Sequence, residues 1–224
     1  PFRIEYRMRH RKGHFVWIKE DASIIKGEDG IPLFWQGVLL DITEQKQAEE
    51  DLKRRDAILK TVGISAQQFL KSADWGENIE NILTQLGIAT GVSRIYIFKK
   101  ESGINSNAIV SSIYEWIEES GTPHPHTQTV DLEHEGCPRW LELFNEGLPV
   151  FGNTKEFPLD EQRFLQKQGI RSIVCIPIYV ETDWWGFIEF DECKMEREWS
   201  HVEIDGLRAA ANTLGTSVER KISE

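Results

Sequence analysis

TEQKQAEEDLKRRDAILKTVGISAQQFL, residues 43–70, divides the chain into two unlike parts and decides how each is read. Steps of four and three residues along it land on Ala48, Leu52, Arg55, Leu59, Val62, Ala66 and Phe69. That is an a/d ladder with one charged interruption at Arg55. The positions between are Glu, Gln, Lys, Arg and Asp, strong helix formers that keep the other faces wet. At roughly 1.5 Å per residue the helix spans on the order of 40 Å, too long and too narrowly striped to serve one domain's packing alone. The spacing predicts a signalling helix that pairs with its copy in a dimer; the competing reading is a monomeric helix whose stripe packs back on its own fold.

Outside this helix, composition narrows the field. The 224 residues include eight Trp and eleven Phe, with 40% apolar residues, enough for a folded core in one or two domains. Net charge is −11 and uneven: residues 1–55 carry about +1 and the remainder about −12. So acidic a surface disfavours nucleic acid and anionic lipid, both of which need a Lys/Arg field. Cys137, Cys175 and Cys193 are widely spaced, with no CxxC, which suits a reducing compartment. No apolar run approaches the ~20 residues of a membrane span, so a cytoplasmic protein is expected.

Before the helix, the pattern has period two. FRIEYRM alternates, HRKGHF turns on Gly13, FVWIKEDASII alternates, and KGEDGIP turns on Gly30 and Pro32 before LFWQGVLLDIT. Three antiparallel strands are a poor domain without a cover. Glu5–Tyr6–Arg7, Gly13, Trp17–Ile18, Asp29–Gly30, Gly37 and the closing Asp41–Ile42–Thr43–Glu44, followed by Lys46 and Ala48–Glu49, resemble the C-terminal part of a PAS domain. The strands and short helices that wall the PAS ligand pocket in that family have no counterpart in this sequence. Asp41 or Thr43 is expected to cap the connecting helix.

After the helix, Asp74 is expected to cap a second amphipathic helix carrying Ile79, Ile82, Leu83 and Leu86 and ending at Gly91. RIYIFKK and NAIVSSIYEWIEE read as a strand pair across a turn at Gly103–Asn107, and 120–137 as a loop. PRWLELFNEG is a short helix with Pro138 in its first turn. LPVFGN is a strand, and DEQRFLQKQG a helix opened by Asp160 and closed by Gly169. SIVCIPIYV and WWGFIEFDEC form a hairpin through Glu181–Asp183. The final helix opens with the capping box Ser200-x-x-Glu203 and carries Ile204, Leu207, Ala211, Leu214, Val218 and Ile222. The order predicts an α/β (α+β) fold, an antiparallel sheet sandwiched by helices. Gly169-Ile170-Arg171-Ser172-Ile173 with Pro177, Trp184–Trp185–Gly186–Phe187–Ile188 with Phe190–Asp191, and Trp199–Ser200 before Glu203–Ile204 resemble a bacterial or archaeal GAF domain over about residues 56–222. That type stands behind PAS domains in sensor histidine kinases and diguanylate cyclases. The expected organisation is a PAS remnant at 1–43, a connecting coiled helix at 44–58, and a GAF domain with an outgoing signalling helix at 59–224.

The GAF resemblance implies a small-molecule pocket between one sheet face and the short helices. Its candidates are Tyr114, Trp116, Trp140, Phe144, Phe151, Phe157 and Phe164, with Cys137 at the pocket mouth. By alternation Trp185, Phe187 and Glu189 share a face. A carboxylate between Phe187 and Phe190 must be solvated, paired or facing a cavity. Aromatic walls with one carboxylate suit a flat or cationic ligand, of unknown identity. The competing reading is that the rings simply fill the space.

Other chemistries fit less well. Related phytochromes hold a bilin on a GAF Cys followed by His, whereas Pro138 follows Cys137 here. His124, His126, His134 and Cys137 are the candidate metal or haem ligands, at spacings that match no compact zinc pattern. Asn153, Lys155, Phe157, Asp160 and Glu161 echo a cyclic-nucleotide signature at the wrong spacing. No P-loop, ATP lid, nucleophile–base set or phosphoacceptor helix is present in the sequence, so the chain reads as regulatory rather than enzymatic. The expected partners are a second copy, along Leu52, Leu59, Val62, Leu207, Leu214 and Val218, and an output domain outside this sequence. The alternative is a haem- or other cofactor-bearing redox or light sensor.

Overall fold

The computed structural model describes residues 2–71, 76, 78–101, 109–119 and 129–223, the side chains of 65–71 excepted. The cap at Asp74, the Gly103–Asn107 turn, His124, His126 and the side chains of Ala66 and Phe69 lie outside the described residues. The chain divides into two compact units, Pro1–Lys53 and Arg54–Glu224.

In the first unit β1 (Phe2–Arg9), β2 (Phe15–Lys26) and β3 (Pro32–Asp41) form an antiparallel sheet in that order. Gly13 and Gly30 take the positive φ of 94° and 79° that its turns require. All of β3 is exposed, Leu33, Phe34 and Trp35 included. The helix α1 (Thr43–Lys71) follows. Asp41 accepts from the Thr43 N–H at 2.9 Å, and the Thr43 hydroxyl accepts from the Trp17 N–H at 2.8 Å.

In the second unit α2 (Ile79–Thr90) precedes β4 (Arg94–Lys100), β5 (Ile109–Ile117), β6 (Thr129–Asp131) and α3 (Pro138–Asn145). Then come β7 (Val150–Asn153), α4 (Leu159–Lys167), β8 (Ser172–Val180), β9 (Asp183–Glu192) and α5 (His201–Ser223). The sheet is antiparallel, in the order β6-β5-β4-β9-β8-β7. Two of the expected details change. The stretch read as a loop contains β6, a short edge strand paired to β5. The helix read as opened by Asp160 starts at Leu159 after Pro158, with no side-chain cap, and Asp160 instead pairs with Arg163.

Alternation in β4 sends Ile95 and Ile97 to one face and Tyr96 and Phe98 to the other. The first face is mostly aliphatic, with Val174, Ile176, Ile178 and Ile188, and packs under α1, α2 and α5. The helix α5 lies tight on β8: a Cβ at Gly215 would sit 2.2 Å from the Tyr179 carbonyl oxygen. Its N-terminus closes as the capping box requires, with Glu203 accepting from the Ser200 N–H at 3.0 Å and Ser200 from the Glu203 N–H at 3.2 Å. The Arg197 guanidinium, 3.9 Å from the Trp199 ring, ties the Thr90 carbonyl of α2 to Glu203 of α5.

This packing corrects the expected seam. Val62, Leu207, Leu214 and Val218 are buried inside the subunit's own core. One apolar stripe on α5 cannot cover the sheet and also face a second copy. Leu52 and Leu59 remain 53% and 43% exposed. At the sheet's rim Tyr179 Oη donates to the Phe144 carbonyl within the aromatic side, and Arg208 Nη1 on α5 donates across to the Gly147 carbonyl at 3.2 Å. No helix among the described residues is long and apolar enough to cross a membrane.

Candidate ligand site on the aromatic face

The second face of the six-stranded sheet is covered by α3 and α4 and is rich in rings. Trp140 and Phe144 from α3, Phe164 from α4, Phe98 from β4 and Phe187 from β9 are buried together. Phe98 and Phe187 stack at 4.9 Å, Phe144 and Phe187 at 5.0 Å, and Trp140 meets Phe164 edge-on at 6.0 Å. The indole N–H of Trp140 donates to Glu161 Oε2 at 2.9 Å, and the same carboxylate, itself buried, takes two bonds from Arg139. Trp140 is therefore fixed in orientation as well as buried.

Phe157 closes the outer edge of this cluster, whereas Phe151, 40% exposed, meets His201 of α5 edge-on at 6.5 Å. Arg139, Phe151, Glu156, Phe157 and Pro158 line an open cleft outside it. Three of the expected pocket residues lie elsewhere. Tyr114, Trp116 and Trp185 pack on the aliphatic face, and the Trp116 ring lies where a Cβ at Gly87 would need to be. One cause accounts for all three. The β4–β5 ladder slips between Ile97 and Phe98, and the β8–β9 ladder between Ile178 and Tyr179. Each bulge adds one residue and reverses the inward and outward set beyond it. Trp184, one position from the expected Trp185, is the tryptophan that joins Phe144 and Phe187.

Glu189 is where alternation puts it, 5% exposed among the rings. It lines a cavity of about 10 Å³ with Trp140, Phe98, Phe164, Phe187 and Gln168, room for about one water molecule. Its Oε2 accepts weakly from the Cys175 thiol at 3.7 Å. Beside it Asp191 is fully buried, and Arg94 Nη2 stands 3.1 Å from both Asp191 Oδ2 and the Gln168 carbonyl. Two carboxyls therefore share one buried cation. Burial pushes both upward, Glu189 well above the usual carboxylate range and Asp191, held back by Arg94, to about 6. Of the two, Glu189 is the carboxyl that burial most strongly holds toward its protonated form, while Asp191 faces Arg94.

Cys137 is fully buried before α3, where burial and nearby carboxylates push its thiol up, which is the opposite of a poised nucleophile. Cys175 is a buried core residue whose thiol burial also raises. His134 is exposed and does not converge with Cys137, and the described residues contain no cluster of three metal-ligating side chains. Arg94 carries no signal in the sequence, and Asp191 and Glu161 stand there only as parts of a GAF-like motif and of a cyclic-nucleotide echo, not as partners of Arg94 and Trp140. Arg94 opens a strand that otherwise reads as plain core, and its partner is 97 positions away, so no local pattern reveals the pair.

Comparison with known proteins agrees with this architecture. Residues 1–39 match the family model for the PAS fold. The chain is 35% identical over 182 residues to the methanogenesis regulatory histidine kinase FilI of Methanothrix harundinacea, covering 80% of this chain and 20% of that protein. It is 34% identical over 65 residues to the methyl sulfide methyltransferase-associated sensor of Methanosarcina acetivorans, covering 29% of this chain and 6% of the sensor. The chain thus spans at most about a fifth of these relatives. Among solved structures, the phycoerythrobilin-bound GAF domain of a cyanobacterial phytochrome superposes with a TM-score of 0.62 at 15% identity, over 75% of this chain and 96% of that one. A phycocyanobilin-bound counterpart gives 0.61 at 15% identity, over 75% and 94%. At such identity the likeness is one of fold. The family model for the GAF domain matches residues 74–218, which is most of the chain, and the chain belongs to the GAF domain family.

Proposed function

We propose that this chain is a sensory and dimerising module of a sensor histidine kinase, in which a small ligand on the aromatic face biases the helices that lead to an output domain. The observation that carries this reading is the division of labour along α1. Its Ile58 and Val62 enter the core against α5, where Ile58 meets Gly206, while Leu52 and Leu59, one heptad apart, remain largely exposed. A helix with one face in the sensor core and the other available to a copy is suited to convert a change in packing into a change between subunits. The ligand acts only through its differential affinity for the two helix arrangements. The relatives are a regulatory histidine kinase and a sensor, which supports placing this module in a signalling protein.

Sedimentation at tens of micromolar tests the dimer. The expected species is a dimer that L52E/L59E converts to a folded monomer; a monomeric wild type overturns the dimerisation half of the reading. The cofactor-bearing alternative draws on the bilin-bound neighbours, but Cys137 is buried and its thiol is raised. Strong visible absorbance of the purified protein would favour that alternative.

A further inference from the structure

The cavity beside Glu189 combines three features that the sensor reading leaves unexplained. It is small, about 10 Å³, and its wall is made of four aromatic side chains together with Val110, Val130 and Leu132. Its buried carboxyl is the second acid beside a single buried cation. We propose that this cavity is a site for the ammonium ion, which binds in exchange for the proton of Glu189. The proposal rests on the sensor reading and names the ligand class of that same site.

Size sets the first limit: room for about one water admits ammonium but not a drug-sized molecule. Wall chemistry sets the second. Trp140, Phe98, Phe164 and Phe187 line the cavity, and an aromatic ring attracts a desolvated cation over its face through the quadrupole. Glu189 offers a carboxylate that an N–H cation can use, whereas a hard metal ion would find too few oxygens.

Charge balance sets the third. The groups facing Glu189 are Asp191 on its own strand, Arg94 and Tyr96 from β4, Cys175 from β8 and Cys137 from before α3. Of these only Arg94 is cationic. With the cavity empty, Arg94 offsets Asp191 and Glu189 stays protonated. With an ammonium ion inside, Glu189 releases its proton to solvent, and two cations face two carboxylates. Both states are neutral, so neither buries a net charge. No bond to carbon forms or breaks, and the only transfer is one proton from Glu189 to water for each cation bound.

The test compares ammonium chloride with potassium chloride at equal ionic strength by thermal melting between pH 5.5 and 8. At ten times its dissociation constant, ammonium should raise the Tm by about 3 °C over potassium. The apparent affinity should fall about tenfold per pH unit below the Glu189 titration. Calorimetry in two buffers of different ionisation heat should register one proton released per cation bound. Glu189→Gln keeps the shape and should abolish both the ammonium response and the proton release. If that variant does not fold, the wild-type proton count decides the matter alone. An ammonium shift with no proton released overturns the exchange. An equal response to methanol or acetate overturns the ammonium class but leaves a ligand sensor. Silence toward all four probes overturns the proposal and, with it, ligand sensing in this cavity.

Discussion

The two faces of the six-stranded sheet are built from different materials. On one, Ile95, Ile97, Val174, Ile176 and Ile188 meet three helices, and α5 lies close enough that Gly215 has no space for a side chain. On the other, rings predominate, and the interior holds Glu189, Asp191 and Arg94 together with a small cavity. Branched aliphatics packed to density transmit displacement, because a close-packed layer has little slack. Rings around a carboxyl leave both space and an electrostatic preference, the ingredients of recognition. The faces share β4, β8 and β9, so a guest on one side bears on the same strands that seat α5.

The sharpest way to break this contrast is to wedge the tight face. Gly215→Val drives a side chain into the Tyr179 carbonyl, and the expected cost is about 3 kcal/mol or more, read from denaturant unfolding. Next, truncation should cost the two faces unequally. Leu214→Ala, deep under α5, should lose about 3 kcal/mol, whereas Phe164→Leu, beside existing space, should lose about 1 kcal/mol. Equal losses would mean that the aromatic face is packed as tightly as the other.

Acidity gives a third, smaller probe. Glu189 and Asp191 hold protons more tightly folded than unfolded, so the folded state binds more protons from about pH 4 to about pH 6, and higher still through Glu189. Their contribution to stability is therefore fully present below that window and falls as pH rises through it. Glu189→Gln should flatten the fall, giving a Tm above wild type at pH 8 and near it at pH 4. The smallest effect belongs to a surface pair: Lys155→Ala, which removes the ion pair with exposed Glu196, should leave the denaturant midpoint unchanged within measurement error.

What could be read beforehand follows physical lines. Heptad spacing located α1, the Ser200 capping box marked the start of α5, and Gly91 and Gly169 marked helix ends, because each signal is local. Glu189 stood out because a lone acid between phenylalanines is costly wherever it points. Trp185 was misplaced because counting by twos assumes an unbroken ladder, and no residue nearby announces a bulge; Tyr114 and Trp116, placed by the family likeness, are turned away by a bulge of the same kind. The stripe of Leu207, Leu214 and Val218 was legible as apolar but silent about its partner, since a sheet and a second helix bury the same side chains. Arg94 with Asp191, and Arg139 with Glu161 and Trp140, depend on chain segments that meet only after folding.

The hydrogen bond from Arg208 to the Gly147 carbonyl has a mechanical meaning of its own. It fastens α5 directly to the turn that ends α3, the helix carrying Trp140 and Phe144. A tilt of that short helix by about an ångström would pull on α5 even if every strand stayed still. The rim, rather than the breadth of the sheet, is then the shortest lever between the aromatic interior and α5.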